Sequence, residues 1–172
     1  FSVSMNASGN RVAVGSIDRS KNPPGKGHVR VFDWVESGSS WLQVGPIISG
    51  TNDQERFGHS ISLSDSGDRL AISAPYPTAN ADRGYVRIYQ YSSGSWQQLG
   101  GDIVGQSSGD QAGFSLSLSS NGNRIAIGSP LNDDNGVSSG HVKIYSWDGS
   151  NWIQLGSDIK GDSSFDNSGQ SV

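Results

Sequence analysis

The sequence contains no cysteine, which excludes disulfides, cysteine-ligated zinc and thiol catalysis. The compartment stays open, because a secreted protein with a sufficient core does without disulfides. Apolar residues are scarce at 33%, and none of their runs is longer than a few residues. Neither a transmembrane helix nor a signal peptide is therefore expected here. Charge of one sign is lacking as well. The net charge is −4 and the basic residues are scattered, which argues against a nucleic-acid partner and against membrane insertion. Glycine is abundant, at 24 of 172 residues, and serine is frequent. Such a mixture suits disorder, but 5 Trp, 5 Tyr and 5 Phe recur at ordered intervals. Many short strands joined by Gly- and Ser-rich turns fit better.

The intervals are those of an internal repeat. Val29-Arg30-Val31-Phe32 matches Val86-Arg87-Ile88-Tyr89 and Val142-Lys143-Ile144-Tyr145. Trp41, Trp96 and Trp152 follow at spacings of 55 and 56 residues, each opening a phrase that ends at Gly45, Gly100 or Gly156. Upstream, Arg11-Val12-Ala13-Val14, Arg69-Leu70-Ala71-Ile72 and Arg124-Ile125-Ala126-Ile127 fall into register. Gly58, Gly113 and Gly169 are equivalent, so the units run 1–58, 59–113 and 114–169. Residues 170–172 match Phe1-Ser2-Val3 and would open a fourth unit, so a fragment of a longer array, or a piece completed by another chain, is expected.

Each unit reads as four strands. Ser115-Leu116-Ser117-Leu118 alternates strictly, the period of a half-buried strand. A Ser-Asn-Gly-Asn turn leads to Arg124–Ile127, then to His141–Trp147, and a last strand runs from Trp152 through Leu155 towards Ile159. One such meander cannot cover its own faces, whereas side-by-side copies cover one another. The expected fold is all-β: three tandem four-stranded antiparallel blades of a β-propeller, a partial ring, since propellers use about 4–8 blades.

Arg56-Phe57-Gly58-His59-Ser60-Ile61, Leu70-Ala71-Ile72-Ser73-Ala74-Pro75 and Gly84-Tyr85-Val86-Arg87 together resemble the FG-GAP repeats of integrin α-subunit propellers. The likeness extends over nearly all of the chain, although the Phe-Gly pair is literal only in the second copy. It implies a seven-bladed ring, an extracellular or cell-surface location, and a role in adhesion or protein contact. Integrin-type repeats often carry a calcium loop before the second strand. The equivalent stretches 6–11, 64–69 and 119–124 offer too few carboxylates for the roughly six to eight oxygens that calcium needs, and read as hairpin turns.

Candidate sites lie elsewhere. The loops between second and third strands differ while the strands agree, and loops on a rigid scaffold are where binding residues gather. Asp18, Arg19, Lys21, Tyr76, Asn80, Asp82, Asp133 and Asp134 are the candidates for a partner-binding face. Asn132, Asp133, Asp134 and Asn135 precede a glycine and offer four oxygens to calcium, although Asx turns share that composition. No other cofactor is expected. Glu55, Asp110 and Asp166 share one repeat position, as a structural bond would require and a catalytic group would not. The position shared by His28, Tyr85 and His141 is read as structural, as are the periodic serines and His59. The three tryptophans suit packing between blades.

The leading expectation is a non-enzymatic propeller for adhesion, assembly or protein–protein interaction, partnered by a protein or by further blades. The alternatives are a carbohydrate-binding or glycoside-cleaving propeller and a WD40-like scaffold. The sialidase-type box is absent around Asp65-Ser66-Gly67, and Trp147-Asp148 is the single counterpart of the WD dipeptide.

Overall fold

The computed structural model describes residues 1–18, 25–76 and 83–172. The first blade comprises β1 (Ser2–Met5), β2 (Arg11–Ser16), β3 (His28–Val35), β4 (Ser40–Gln43) and β5 (Ile48–Ser49). The second comprises β6 (Ile61–Leu63), β7 (Arg69–Ala74), β8 (Tyr85–Ser92), β9 (Ser95–Gln98) and β10 (Ile103–Val104). The third comprises β11 (Ser115–Leu118), β12 (Arg124–Ser129), β13 (His141–Trp147), β14 (Trp152–Gln154) and β15 (Ile159–Lys160). Every pairing between these strands is antiparallel, and each sheet lies within one repeat. Among the described residues the one helical segment is a 3-10 turn at Glu36–Gly38. The fold is all-β, built of three propeller blades that stop short of a closed ring.

The outer strand departs from the expected single run. It breaks into two pieces in every blade, and both pieces pair with the third strand. The break falls at Gly45, Gly100 and Gly156, with φ of +70°, +78° and +75°. That left-handed conformation suits a residue without Cβ. At Gly45 and Gly100 a second reason operates across the seam, because the next blade's aromatic residues lie against the break. A Cβ on Gly100 would run into the Trp147 and Trp152 rings. Trp96 Nε1 donates to the Val44 carbonyl at 3.3 Å, and Trp152 Nε1 to that of Leu99 at 3.0 Å.

Two hydrophobic cores separate the three sheets. Ala13, Val29, Val31 and Ile48 meet Leu63, Leu70, Ile72 and Trp96 in the first, while Ala71, Val86, Ile88 and Ile103 meet Leu116, Leu118, Ile125 and Ile127 in the second. This is why β7 is apolar at successive positions: both of its faces are covered. Polar bonds repeat across the seams as well. Ser4 Oγ accepts from Leu63 N at 2.9 Å, and Ser62 Oγ from Leu118 N at 3.0 Å. The Arg11 guanidinium, held by Asp33, donates to the Gly67 carbonyl at 3.0 Å, and Arg69 donates to the Gly122 carbonyl at 2.9 Å. The two seams are one interface used twice.

The ends expose what the seams hide. Trp96 is 8% exposed and its counterpart Trp41 is 41% exposed, and Val3 and Met5, on the opposite edge strand of the same sheet, are exposed too. Ile48 and Ile103 are 7% and 8% exposed, whereas Ile159, at the same position of the third blade, is 58% exposed. Burying such a side chain fully contributes about 1.5–3 kcal/mol, so each open face forgoes several such contributions.

Candidate functional site at the seam of the second and third blades

A repeat protein discloses its special positions where one copy departs from the others. In the second blade, β8 opens on Tyr85, whose hydroxyl donates to Glu55 Oε1 at 2.7 Å. Burial, then the Glu55 bond, pushes the Tyr85 phenol up. Glu55 is fully buried and also accepts from the Thr51 and Asn52 backbone N–H groups. Two residues on, Arg87 grips Asp102 with both ends of its fork, at 2.8 and 2.9 Å. These four residues clasp the first seam and the outer strand.

The third blade changes that set. His141 replaces Tyr85, Lys143 replaces Arg87, Asp110 replaces Glu55, and Asp158 keeps the place of Asp102. Asp110 is occupied, accepting from Ser107 N at 2.9 Å and Asn132 Nδ2 at 3.1 Å. His141 is 1% exposed, and its Nδ1 is buried without a hydrogen-bond partner. Burial first, then the Lys143 charge, lowers the proton affinity of the imidazole, so it is neutral at physiological pH. Lys143 lacks a fork and reaches Asp158 only at 3.5 Å, while donating to Gln106 Oε1 at 2.7 Å.

Asp134 completes the group from the loop after β12. One ligating atom each from Asp134, His141 and Asp158 lies within 4.8 Å of the other two. Lys160 stands 3.3 Å from Asp134, and Gln106 Nε2 donates to the same carboxylate at 3.4 Å. Desolvation raises the Asp134 pKa, but Lys160, together with His141 and Asn132, outweighs it and holds the carboxyl below its ordinary range. The arrangement combines a neutral imidazole with two carboxylates and two loosely engaged ammonium groups. It could hold a small cation.

The four residues Asn132–Asn135 do not converge. Asn132 is buried and bonds Asp110, and its Oδ1 accepts from Asp134 N at 3.0 Å, an Asx turn. Asp133 accepts from Ser138 N at 2.7 Å, and Asn135 donates to the Gly161 carbonyl at 2.8 Å. Only Asp134 turns to the His141 group. Of the other loop candidates, Asp18 is exposed and Tyr76 lies under the Arg56 guanidinium, 4.1 Å from its ring centroid. Arg19, Lys21, Asn80 and Asp82 lie outside the described residues. His59 sits in an aromatic stack between Phe1 and Phe114, with centroids at 4.9 and 5.0 Å.

Two cavities adjoin the seam. One of about 10 Å³ lies beside His141, Ser129 and Ala112, and is large enough for about one water. A more open cleft of about 290 Å³ is lined by Asp102, Tyr145, Asn151 and Trp152. From sequence, His141 reads as structural and Asp158 is not singled out as a candidate. Their signal was available in the joint exchange of Tyr85 for His141 and Arg87 for Lys143 beside a retained aspartate.

No family model matches the chain, and no curated protein does, so the FG-GAP likeness rests on the residues quoted for it. Solved structures do match. A protein provisionally named a 6-phosphogluconolactonase from Bacteroides fragilis is similar over 95% of this chain and 39% of its own, with a TM-score of 0.63 and 15% identity. Another of that provisional name, from Bacteroides uniformis, is similar over 92% and 40%, with a TM-score of 0.59 and 12% identity. The β-propeller domain of the Trilobed protease from Pyrococcus furiosus is similar over 90% and 42%, with a TM-score of 0.51 and 12% identity. The fold is that of a β-propeller. At such identities the likeness concerns the fold alone, and the chain spans about two fifths of the length of these structures.

Proposed function

We propose that the chain is a non-enzymatic propeller segment that serves assembly and protein–protein interaction, completed by further blades of its own kind. One observation carries this reading. The open faces at Trp41 and at Ile159 are the two halves of the interface that joins the blades internally. A blade bearing the one half fits a blade bearing the other. The shared carboxylates support a structural rather than a catalytic reading, because Glu55, Asp110 and Asp166 accept backbone N–H groups of their own loops. The FG-GAP likeness is the support for an extracellular or cell-surface setting and for adhesion.

Sedimentation equilibrium tests the assembly. The chain should associate with rising concentration, and Trp41→Glu should abolish that association by placing a charge on the leading face. A single-chain mass at every concentration would contradict the proposal.

A second reading, a carbohydrate-binding propeller, is favoured by the cleft that sets Trp152 and Tyr145 beside Asp102 and Asn151. Aromatic faces beside polar groups suit a sugar ring. Retention on a glycan array, lost in Trp152→Ala, would favour it over assembly alone.

A further inference from the structure

We propose that Asp134, His141 and Asp158 form a site for one divalent transition-metal ion of the Zn²⁺ class, set in the third blade at its seam with the second. The donor set suits such an ion, since imidazole nitrogen and carboxylate oxygen are its ordinary ligands in proteins. The observation that separates this group from a chance surface pair of acids is the histidine. His141 is 1% exposed, its Nδ1 has no hydrogen-bond partner, and one of its ring nitrogens lies within 4.8 Å of a carboxylate oxygen of each aspartate. A buried polar atom left unsatisfied is costly, and a metal ion held at that nitrogen, or a proton donor, relieves the cost.

The neighbouring lysines set the terms. They neutralise the two carboxylates, but at 3.5 and 3.3 Å, against 2.6 Å for Arg11–Asp33 and 2.8 Å for Arg87–Asp102. An ammonium on a flexible stem can swing away where a two-pronged arginine fork could not. Ligands about 2.0–2.1 Å from one Zn²⁺ stand roughly 3.3 Å apart, so the group must contract by up to about 1.5 Å on binding. Asp134, on an exposed loop, is the member free to make that movement. Gln106 of the second blade, bonded to both Asp134 and Lys143, would couple the ion to the seam. Among the described residues only the third blade is so equipped. The first has His28 at the histidine position but Ile47 at that of Asp158, and the second has Tyr85 and a clamped Asp102.

The test is calorimetric titration of the chain with Zn²⁺, backed by the visible absorption of Co²⁺ as a spectroscopic probe. One ion per chain is expected. His141→Tyr, which installs the second blade's own residue, should abolish binding, and Asp158→Asn should weaken it by about tenfold or more. Lys160→Ala should tighten binding severalfold by removing a competitor for Asp134, a gain that misfolding cannot produce. Asp133→Asn, which alters a carboxylate already committed to its turn, should change nothing. Two results would overturn the assignment: undiminished Zn²⁺ binding in His141→Tyr, or no heat and no Co²⁺ absorption with the unaltered chain.

Discussion

Arg87 and Lys143 hold the same place in successive blades, and the difference between fork and point charge decides the state of the aspartate opposite. Asp102 is pushed up by desolvation but held below the usual carboxylate range by the Arg87 bonds and by Gln98. A carboxyl depressed in the fold contributes stability that is present above the unfolded pKa of about 3.9 and lost as pH falls through its folded value. Asp102→Asn should therefore lower the melting temperature most at neutral pH, with the gap to the parent chain closing below about pH 4. Melting curves across that range check it, and a constant gap at all pH values would contradict it. At this scale the sequence was legible where the repeat was kept. The shared position of Glu55, Asp110 and Asp166 pointed to loop bonds, which all three carboxylates make. It was illegible where function would arise from a departure, because each change from Tyr85 to His141 or Arg87 to Lys143 looks conservative until the third dimension sets them beside Asp134.

Alternation and turn chemistry placed the strands of each blade, and the element-level surprise was the broken outer strand. The Trp-to-Gly phrase reads as continuous strand because a left-handed glycine leaves no mark on hydrophobic pattern. At Gly45 and Gly100 the break is also filled by the adjacent blade's aromatic residues, whereas at Gly156 the left-handed glycine stands with nothing against it. Gly100→Ala would require a Cβ at φ +78° and against the Trp147 ring, and should destabilise the chain by about 2 kcal/mol or more. Gly156→Ala is the control for the ring contact, since φ is +75° there and a Cβ meets nothing within 4 Å. Chemical denaturation should rank Gly100→Ala below Gly156→Ala, and equal losses would exclude a contribution from the ring contact. The hairpin arginines make a second such prediction. Arg69→Ala removes the bonds to Gln90 and to the Gly122 carbonyl and should cost about 1–2 kcal/mol. Arg124→Ala, exposed at the open end, should cost less than half of that.

For the whole molecule, three copies of a unit that cannot bury its own faces imply side-by-side stacking, and the sequence alone carries that inference. Its limit lies in the open ends. A pattern of apolar residues is the same whether a face is covered or bare, so Trp41, Trp96 and Trp152 look equivalent until the sheets are set beside one another. The middle tryptophan is enclosed by the first blade, the last is half-buried against the second, and the first lies open. Oxidative footprinting of the three indoles, read by mass spectrometry at a concentration where the chain is a single copy, probes that arrangement most directly. Trp41 should be modified fastest and Trp96 slowest, with Trp41 becoming protected as concentration drives association. Equal modification of all three indoles in the folded chain would contradict the stacked-blade architecture and the assembly built on it.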